Sequence, residues 1–308
     1  MSKYQELEMH NVRTYSIKER HHKVHINDFS NIQSHNIEDF MPNILESKAL
    51  KEFVNRLALA YKQNQHVILM MGGHVIKVGL APIIIDLMKR GVIKAIAVNG
   101  STAIHDFEVA YNSSTSEEVA DTLKTGMFGM VEETAHFMNE TVKEAAVQNL
   151  GMGEALGKKI VEQNFPNKEL SFLAKAYELN IPVTVHVSIG NDTIHQMPNC
   201  DGAALGKCTH KDFKIFANEV SKLENGVIMN LGSAVVLPEV FLKALTLARN
   251  VGHKVDVFTA ANFDCIKHYR PMENIVKRPT MNGGWGHYFI GYHEIMIPLV
   301  YQMLLKRI

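Results

Sequence analysis

The chain has 308 residues, 46% of them hydrophobic and 21% charged, with 32 Lys and Arg balanced by 32 Asp and Glu. That composition excludes disorder and is enough for one large α/β domain with a sizeable core. The balanced charge argues against a general nucleic-acid binder, and no apolar run approaches the ~20 residues that span a bilayer. Cys200, Cys208 and Cys265 show no paired spacing and leave an odd thiol, which predicts reduced thiols in a cytoplasmic protein. The first residues carry charge without an apolar core, so no signal peptide is expected.

Residues 1–40 are polar and irregular and read as an arm around a single domain formed by residues 41–308, with an ordered piece near Val24–Phe29. His21, His22 and His25 lie in this arm and read as solvated surface. The chain has sixteen histidines, but the HExxH and CxxC spacings of metal sites are absent, so no metal is expected. Ser47 precedes Leu50, Phe53, Val54, Leu57 and Leu59 in a helical pattern, which predicts a helix ending near Lys62. Val67–Met71 reads as a buried parallel strand opening at Gly72 and Gly73. Gly79 and Pro82 bracket a helix start, and Lys89, Arg90 and Gly91 mark its end. Ala95–Val98 is the second strand, followed by Asn99, Gly100, Ser101 and Thr102.

A helix is expected from about Ser116, with Thr115 or Ser116 as its cap and Glu117 and Glu118 in its first turn. Glu132–Leu150 is helical by period, a second helix follows Gly151 and Gly153, and a third runs from Asn167 to Leu179. Ile181–Val187 has the β-branched content of a strand, and the polar turn after it carries Asp192 and His195. A helix is expected over Asp212–Leu223, a strand over Gly226–Asn230, a helix over Pro238–Arg249 and a strand over Val255–Thr259. A closing helix covers Ile295–Leu305. This alternation predicts an α/β fold, a Rossmann-like doubly wound, mostly parallel sheet with helices on both faces. Ligands of such sheets bind outside the carboxyl ends of the strands, where both early Gly turns fall.

The G-x-G-x-x-G fingerprint of dinucleotide sites is missing, because Gly72, Gly73 and Gly79 have the wrong spacing. Next to the second Gly turn, His105 and Asp106 have two readings. Either they are an acid/base pair beside a cofactor or, if a helix starts near His105, Asp106 and Glu108 are early-turn acids at its positive end.

Three segments carry a resemblance. Thr259-Ala260-Ala261-Asn262-Phe263-Asp264, followed by Arg270, Pro271 and Glu273, resembles the T-A-Q-E-F-D segment and later R-P-D-E of deoxyhypusine synthases. Asn99-Gly100-Ser101-Thr102 stands near that family's Thr-Ala-Gly-Gly turn, and Ser188-Ile189-Gly190-Asn191-Asp192 resembles the Ser-Leu-Gly-Asp after its IPV strand. The resemblance runs in order from Val67 to the carboxyl terminus. It implies an NAD-dependent enzyme on a Rossmann-like fold, a homotetramer with sites between paired subunits. The family oxidises spermidine and passes its aminobutyl group, through an imine on a Lys, to a Lys of a translation factor. Carried over by position, Gly73, Ser101, Thr102, Thr259, Ala260 and Asp264 would lie at the NAD. Asp192 and Glu273 would hold the cationic amine, with Trp285 beside it.

The departures bear on the transfer step. The family's imine-forming Lys follows Trp-Gly, whereas here Trp285 and Gly286 precede His287, and imidazole cannot form that imine. Lys277 is the alternative amine. Leu237-Pro238-Glu239 stands where the family has paired histidines, so His287, His293 and His195 are candidate bases. Three readings follow. The chain is an NAD-dependent aminoalkyl transferase acting on a small amine and an amine acceptor. Alternatively, it is an NAD-dependent amine dehydrogenase or small-molecule polyamine synthase, or a non-catalytic NAD or metabolite binder.

Overall fold

The computed structural model describes residues 36–308 and four isolated positions before them, so the expected strand-like piece at 24–29 and the histidines at 21, 22 and 25 lie outside the described residues. The chain divides into a unit ending at Lys48 and a unit Ala49–Ile308. The elements in order are α1 (Ile37–Phe40), α2 (Leu45–Lys62), β1 (Val67–Met71), α3 (His74–Lys77), α4 (Ala81–Lys89), β2 (Ala95–Asn99) and α5 (Gly100–Asn112). Then come α6 (Val119–Lys124), α7 (Glu132–Gln148), α8 (Met152–Glu162), α9 (Phe172–Leu179), β3 (Val183–His186), α10 (Gly202–Val220), β4 (Val227–Leu231) and α11 (Val236–Asn250). The last are β5 (Thr259–Asp264), α12 (Tyr269–Pro271) with a π turn over Met272–Lys277, β6 (Trp285–Ile290) and α13 (His293–Leu305).

The six strands among the described residues are all parallel, in the order β3-β2-β1-β4-β5-β6. The order reverses between β1 and β4, which is the switch point where a doubly wound sheet opens a crevice. Every residue of β1 and β4 is buried, as expected of strands covered on both faces. On one face Ile68, Met70, Ile228 and Ala260 pack under Phe216 and Val220 of α10 and Leu237 and Phe241 of α11. On the other, Leu69, Met229 and Phe263 meet Leu57 of α2, Ile84 and Leu87 of α4, and Ile297 and Val300 of α13. The α/β architecture read from the alternation of elements is the architecture found.

Among the boundaries that differ from expectation, four have a clear physical reason. The fifth strand is Thr259–Asp264 and not Val255–Thr259, because Asn230 and Asn262 stand in register on β4 and β5 and Asn230 Nδ2 donates to Asn262 Oδ1 at 2.6 Å. This bond between two buried amides ties β4 to β5 where the local text reads as a turn, while Asn230 Oδ1 and Asn262 Nδ2 stay buried without a partner. Helix α5 starts at Gly100, capped by Asn99, whose Oδ1 accepts from the Thr102 N–H. Helix α6 starts at Val119 and is capped by Glu118, not by Thr115 or Ser116. Helix α10 starts ten residues before Asp212, at Gly202, where Asp201 accepts from the N–H groups of Ala203 and Ala204.

Candidate functional site

The carboxyl ends of β2 and β3, with α3 and α5 beside them, surround a cavity of about 510 Å³. Its floor is one face of α5. Ser101, His105, Glu108 and Asn112 recur at spacings of three and four, so they share a stripe. Lys77 of α3 enters from the β1 side, Asp192 from the turn after β3, and Thr115 and Glu117 from the segment after α5.

Thr115 organises the acidic wall. Its hydroxyl donates to Glu108 Oε2 at 2.5 Å and takes a bond from His105 Nδ1 at 2.7 Å, while Thr134 donates to Glu108 Oε1. His105 therefore carries its proton on Nδ1. Burial, with Lys77 adding repulsion, lowers its pKa to about 4, so it is neutral at pH 7.

Asp192 is the second acid. Its side chain is 7% exposed, and a Cβ added to Gly100 would lie 1.9 Å from its Oδ2, so only glycine admits the carboxylate at the start of α5. Burial pushes its pKa up to about 6, and a bond from the Ser101 backbone N–H holds it down in part. Its Oδ2 is buried without a hydrogen-bond partner, 3.8 Å from His195 Nε2. His195 Nδ1 accepts from the N–H groups of Gly190 and Asp192, so this imidazole braces the turn.

The residues proposed from sequence separate into three groups. Ser101, His105 and Asp192 line the cavity, and Gly73 backs it, with Ser101 Oγ and His105 Cδ2 within 3 Å of where its Cβ would be. Thr102 and Asp106 are structural. Thr102 is fully buried, and its hydroxyl bonds Asn99 Oδ1 and the Met71 carbonyl, tying β1 to α5. Asp106 is fully buried and accepts from Ser171 Oγ (2.5 Å), Phe172 N–H (2.8 Å) and Leu173 N–H (3.3 Å), which caps α9. With α5 starting at Gly100, Asp106 is neither an early-turn acid nor a partner of His105.

The third group lies outside the cavity. Thr259 begins β5, in register with the first residues of β4 and β6, so Thr259 and the core residue Ala260 sit at the amino edge of the sheet, opposite the ligand edge. Only Asp264, at the end of β5, reaches the carboxyl edge. There the Cys265 thiol contacts it at 3.6 Å, and His268 Nε2 is 3.8 Å away. Trp285 opens β6 at the amino edge, with Phe53 stacked 6.4 Å away and the Arg56 guanidinium 5.4 Å over its ring. His287 continues that ladder, 5.6 Å from Trp285 and 4.6 Å from Phe289. Lys277 is 59% exposed and paired with Glu273 at 2.8 Å on the π turn, whose Val276 carbonyl lies against Gly286 near the start of β6. Neither Lys277 nor Glu273 lines the cavity.

Sequence reading missed Lys77 and Thr134 and gave Glu108, Thr115 and Glu117 only helix-start roles. The stripe of 101, 105, 108 and 112 becomes legible once the helix is started at Gly100.

Neither the protein-family models nor the curated proteins give a match to this chain. Solved structures do. AgrE, in its ternary complex with ornithine and NAD+, is 13% identical with a TM-score of 0.53, over 84% of this chain and 33% of its own. A candidate LOR/SDH protein from Methanococcus maripaludis S2 is 14% identical with a TM-score of 0.53, over 85% and 69%. A candidate deoxyhypusine synthase from Entamoeba histolytica is 11% identical with a TM-score of 0.52, over 89% and 94%. The chain spans about a third of the length of AgrE. At these identities the likeness establishes the fold, a Rossmann-like α/β domain of the kind found in all three.

Proposed function

We propose that the chain is an NAD-linked enzyme acting on an amine, with the adenosine half of the cofactor in the cavity beside α5. The observation that carries this reading is the acidic wall formed by Glu108 and Asp192. Glu108 stands on α5, which follows β2, and Asp192 in the turn after β3, so both acids lie toward the edge where doubly wound sheets bind ligands. The cavity volume falls within the roughly 300–1,000 Å³ of cofactor sites. Glu108, held by Thr115 and Thr134, would accept a ribose hydroxyl, and Lys77 would face the diphosphate. NAD would supply hydride-accepting chemistry there, and the residues of the cavity would hold it. The ornithine and NAD+ of the AgrE complex and the three deoxyhypusine-synthase-like segments support an amine as the partner.

Within this class, oxidation is better supported than aminoalkyl transfer. Lys277, the amine that would carry a transferred group, is tied to Glu273 outside the cavity. A polyamine substrate, a protein lysine as acceptor, a homotetramer and a cytoplasmic setting belong to the same proposal. Among the described residues no helix is long and apolar enough to cross a membrane.

Calorimetric titration with NAD+ tests the reading. The expected result is saturable binding that Glu108→Gln weakens about tenfold, the worth of one charge-assisted hydrogen bond. No binding at millimolar NAD+ would sink it. A second reading draws on the carboxylates of Glu108, Glu117, Glu133 and Asp192, which outnumber Lys77 in the cavity and suit a cation. On that reading spermidine binds without NAD+ and competes with it.

A further inference from the structure

At the switch point, 219 residues apart in sequence, His74 and His293 meet with their Nδ1 atoms 3.0 Å apart. His74 is the first residue of α3, directly after the Gly turn of β1, and is exposed. His293 opens α13 and is 2% exposed. Its other nitrogen, Nε2, lies 3.1 Å from the Phe263 carbonyl of β5. Gly232, with φ +67°, ends β4 under the ring. A Cβ there would lie 2.6 Å from His293 Cε1, so three strand ends are shaped around this imidazole.

The protons follow from the partners. A carbonyl only accepts, so Nε2 of His293 carries its proton, and its Nδ1 is then an acceptor. The bond between the two rings therefore runs from His74 Nδ1–H to His293 Nδ1, which leaves His74 Nε2 unprotonated. The reverse arrangement would set two acceptors against each other in a buried place.

We propose that His74 is the proton acceptor of this protein's reaction and that His293 is the positioning residue that keeps its Nε2 lone pair free. The proposal rests on the amine reading above. The N–H bond of a substrate alkylammonium breaks, its proton goes to His74 Nε2, and the bonding pair stays on nitrogen. This yields the neutral amine that a nicotinamide oxidant requires, and hydride loss from an alkylammonium would be disfavoured. Helix α3 joins the two places, since His74 at one end meets the switch point and Lys77 at the other lines the cavity. The charged groups facing His74 are Lys77 of α3, Asp264 of β5 and Glu294 of α13, besides His293 itself. Burial and then His293 lower its pKa, while Glu294 and Asp264 oppose them. His74 is thus neutral and able to accept at neutral pH.

Long-range proton–nitrogen spectra of the full chain labelled at histidine nitrogen, with His74→Gln and His293→Gln to assign signals, test the protonation pattern. The expected result above about pH 7 is a proton on Nε2 of His293 and on Nδ1 of His74. A proton on Nε2 of His74 overturns the proposal. In amine-dependent NADH formation, His74→Gln is expected to lower turnover roughly 10²- to 10⁴-fold with NAD+ affinity unchanged. His293→Phe, which fills the space but accepts no bond, is expected to lower it less and to displace the acidic limb of the pH profile. Turnover of His74→Gln within about twofold of the unaltered protein also overturns it. If the unaltered protein binds no NAD+, the cofactor reading falls, and the spectra still decide whether His74 offers a free Nε2.

Discussion

The two halves of the sheet's carboxyl edge use their polar residues in opposite ways. Beside β2 and β3, Ser101, His105, Glu108 and Asp192 surround an open cavity of about 510 Å³. Beside β4 and β5, buried polar groups bond to one another. Asn230 binds Asn262, and the His293 ring lies over Gly232 with its Nε2 at the Phe263 carbonyl. Polar residues near the strand ends therefore border a ligand cavity in one half and a mutually bonded seam in the other. Whether a polar residue is left for a ligand depends on whether a neighbouring strand or helix supplies its partner.

The contrast is sharpest in two aspartates near α5. Asp106 takes three donors at the start of α9, so Asp106→Ala would strand three polar groups in the core. An expected loss of about 3–5 kcal/mol in urea unfolding follows. A loss under about 1 kcal/mol would break the assignment of Asp106 to capping.

Asp192 should behave in the opposite sense. Its folded pKa of about 6 lies above the ordinary 3.8, so the folded state binds the proton more tightly than the unfolded one. Stability from this group is present below about pH 4 and is lost as pH rises to about 6. Asp192→Asn is therefore expected to stabilise the protein by about 1–3 kcal/mol at pH 7, to flatten its stability between pH 4 and 6, and to weaken ligand binding. Unfolding curves at the two pH values check this, and an unchanged pH dependence would contradict it.

The smallest effect belongs to the amino edge. Lys277 is exposed and its partner Glu273 half-buried, and Lys277→Ala should change stability by at most about 0.5 kcal/mol and leave NAD+ affinity unaltered. Loss of an amine adduct trapped by borohydride in this variant alone would restore Lys277 to the chemistry and reverse the ranking of the two halves.

Much of the fold was legible because its signals are local. The apolar run of β1, Pro82 near the start of α4 and the β-branched text of β3 each report on a few consecutive residues. Of the candidate site, Gly73, Ser101, His105 and Asp192 were found because Gly turns and polar turns after strands mark the ligand edge. Thr259, Ala260 and Trp285 lie at the amino edge, which a motif does not reveal because it gives residue order but not strand register.

The sequence by itself determined the alternation of strands and helices, the parallel sheet and the edge at which ligands would bind, since periodicity and turn chemistry are properties of short segments. Only the tertiary structure decided that Asn262 lies inside a strand, that Asp106 caps a helix 65 residues away, and that His74 meets His293 across 219 residues. Those outcomes depend on which partner each buried polar group finds, and a partner distant along the chain leaves no mark in the local sequence.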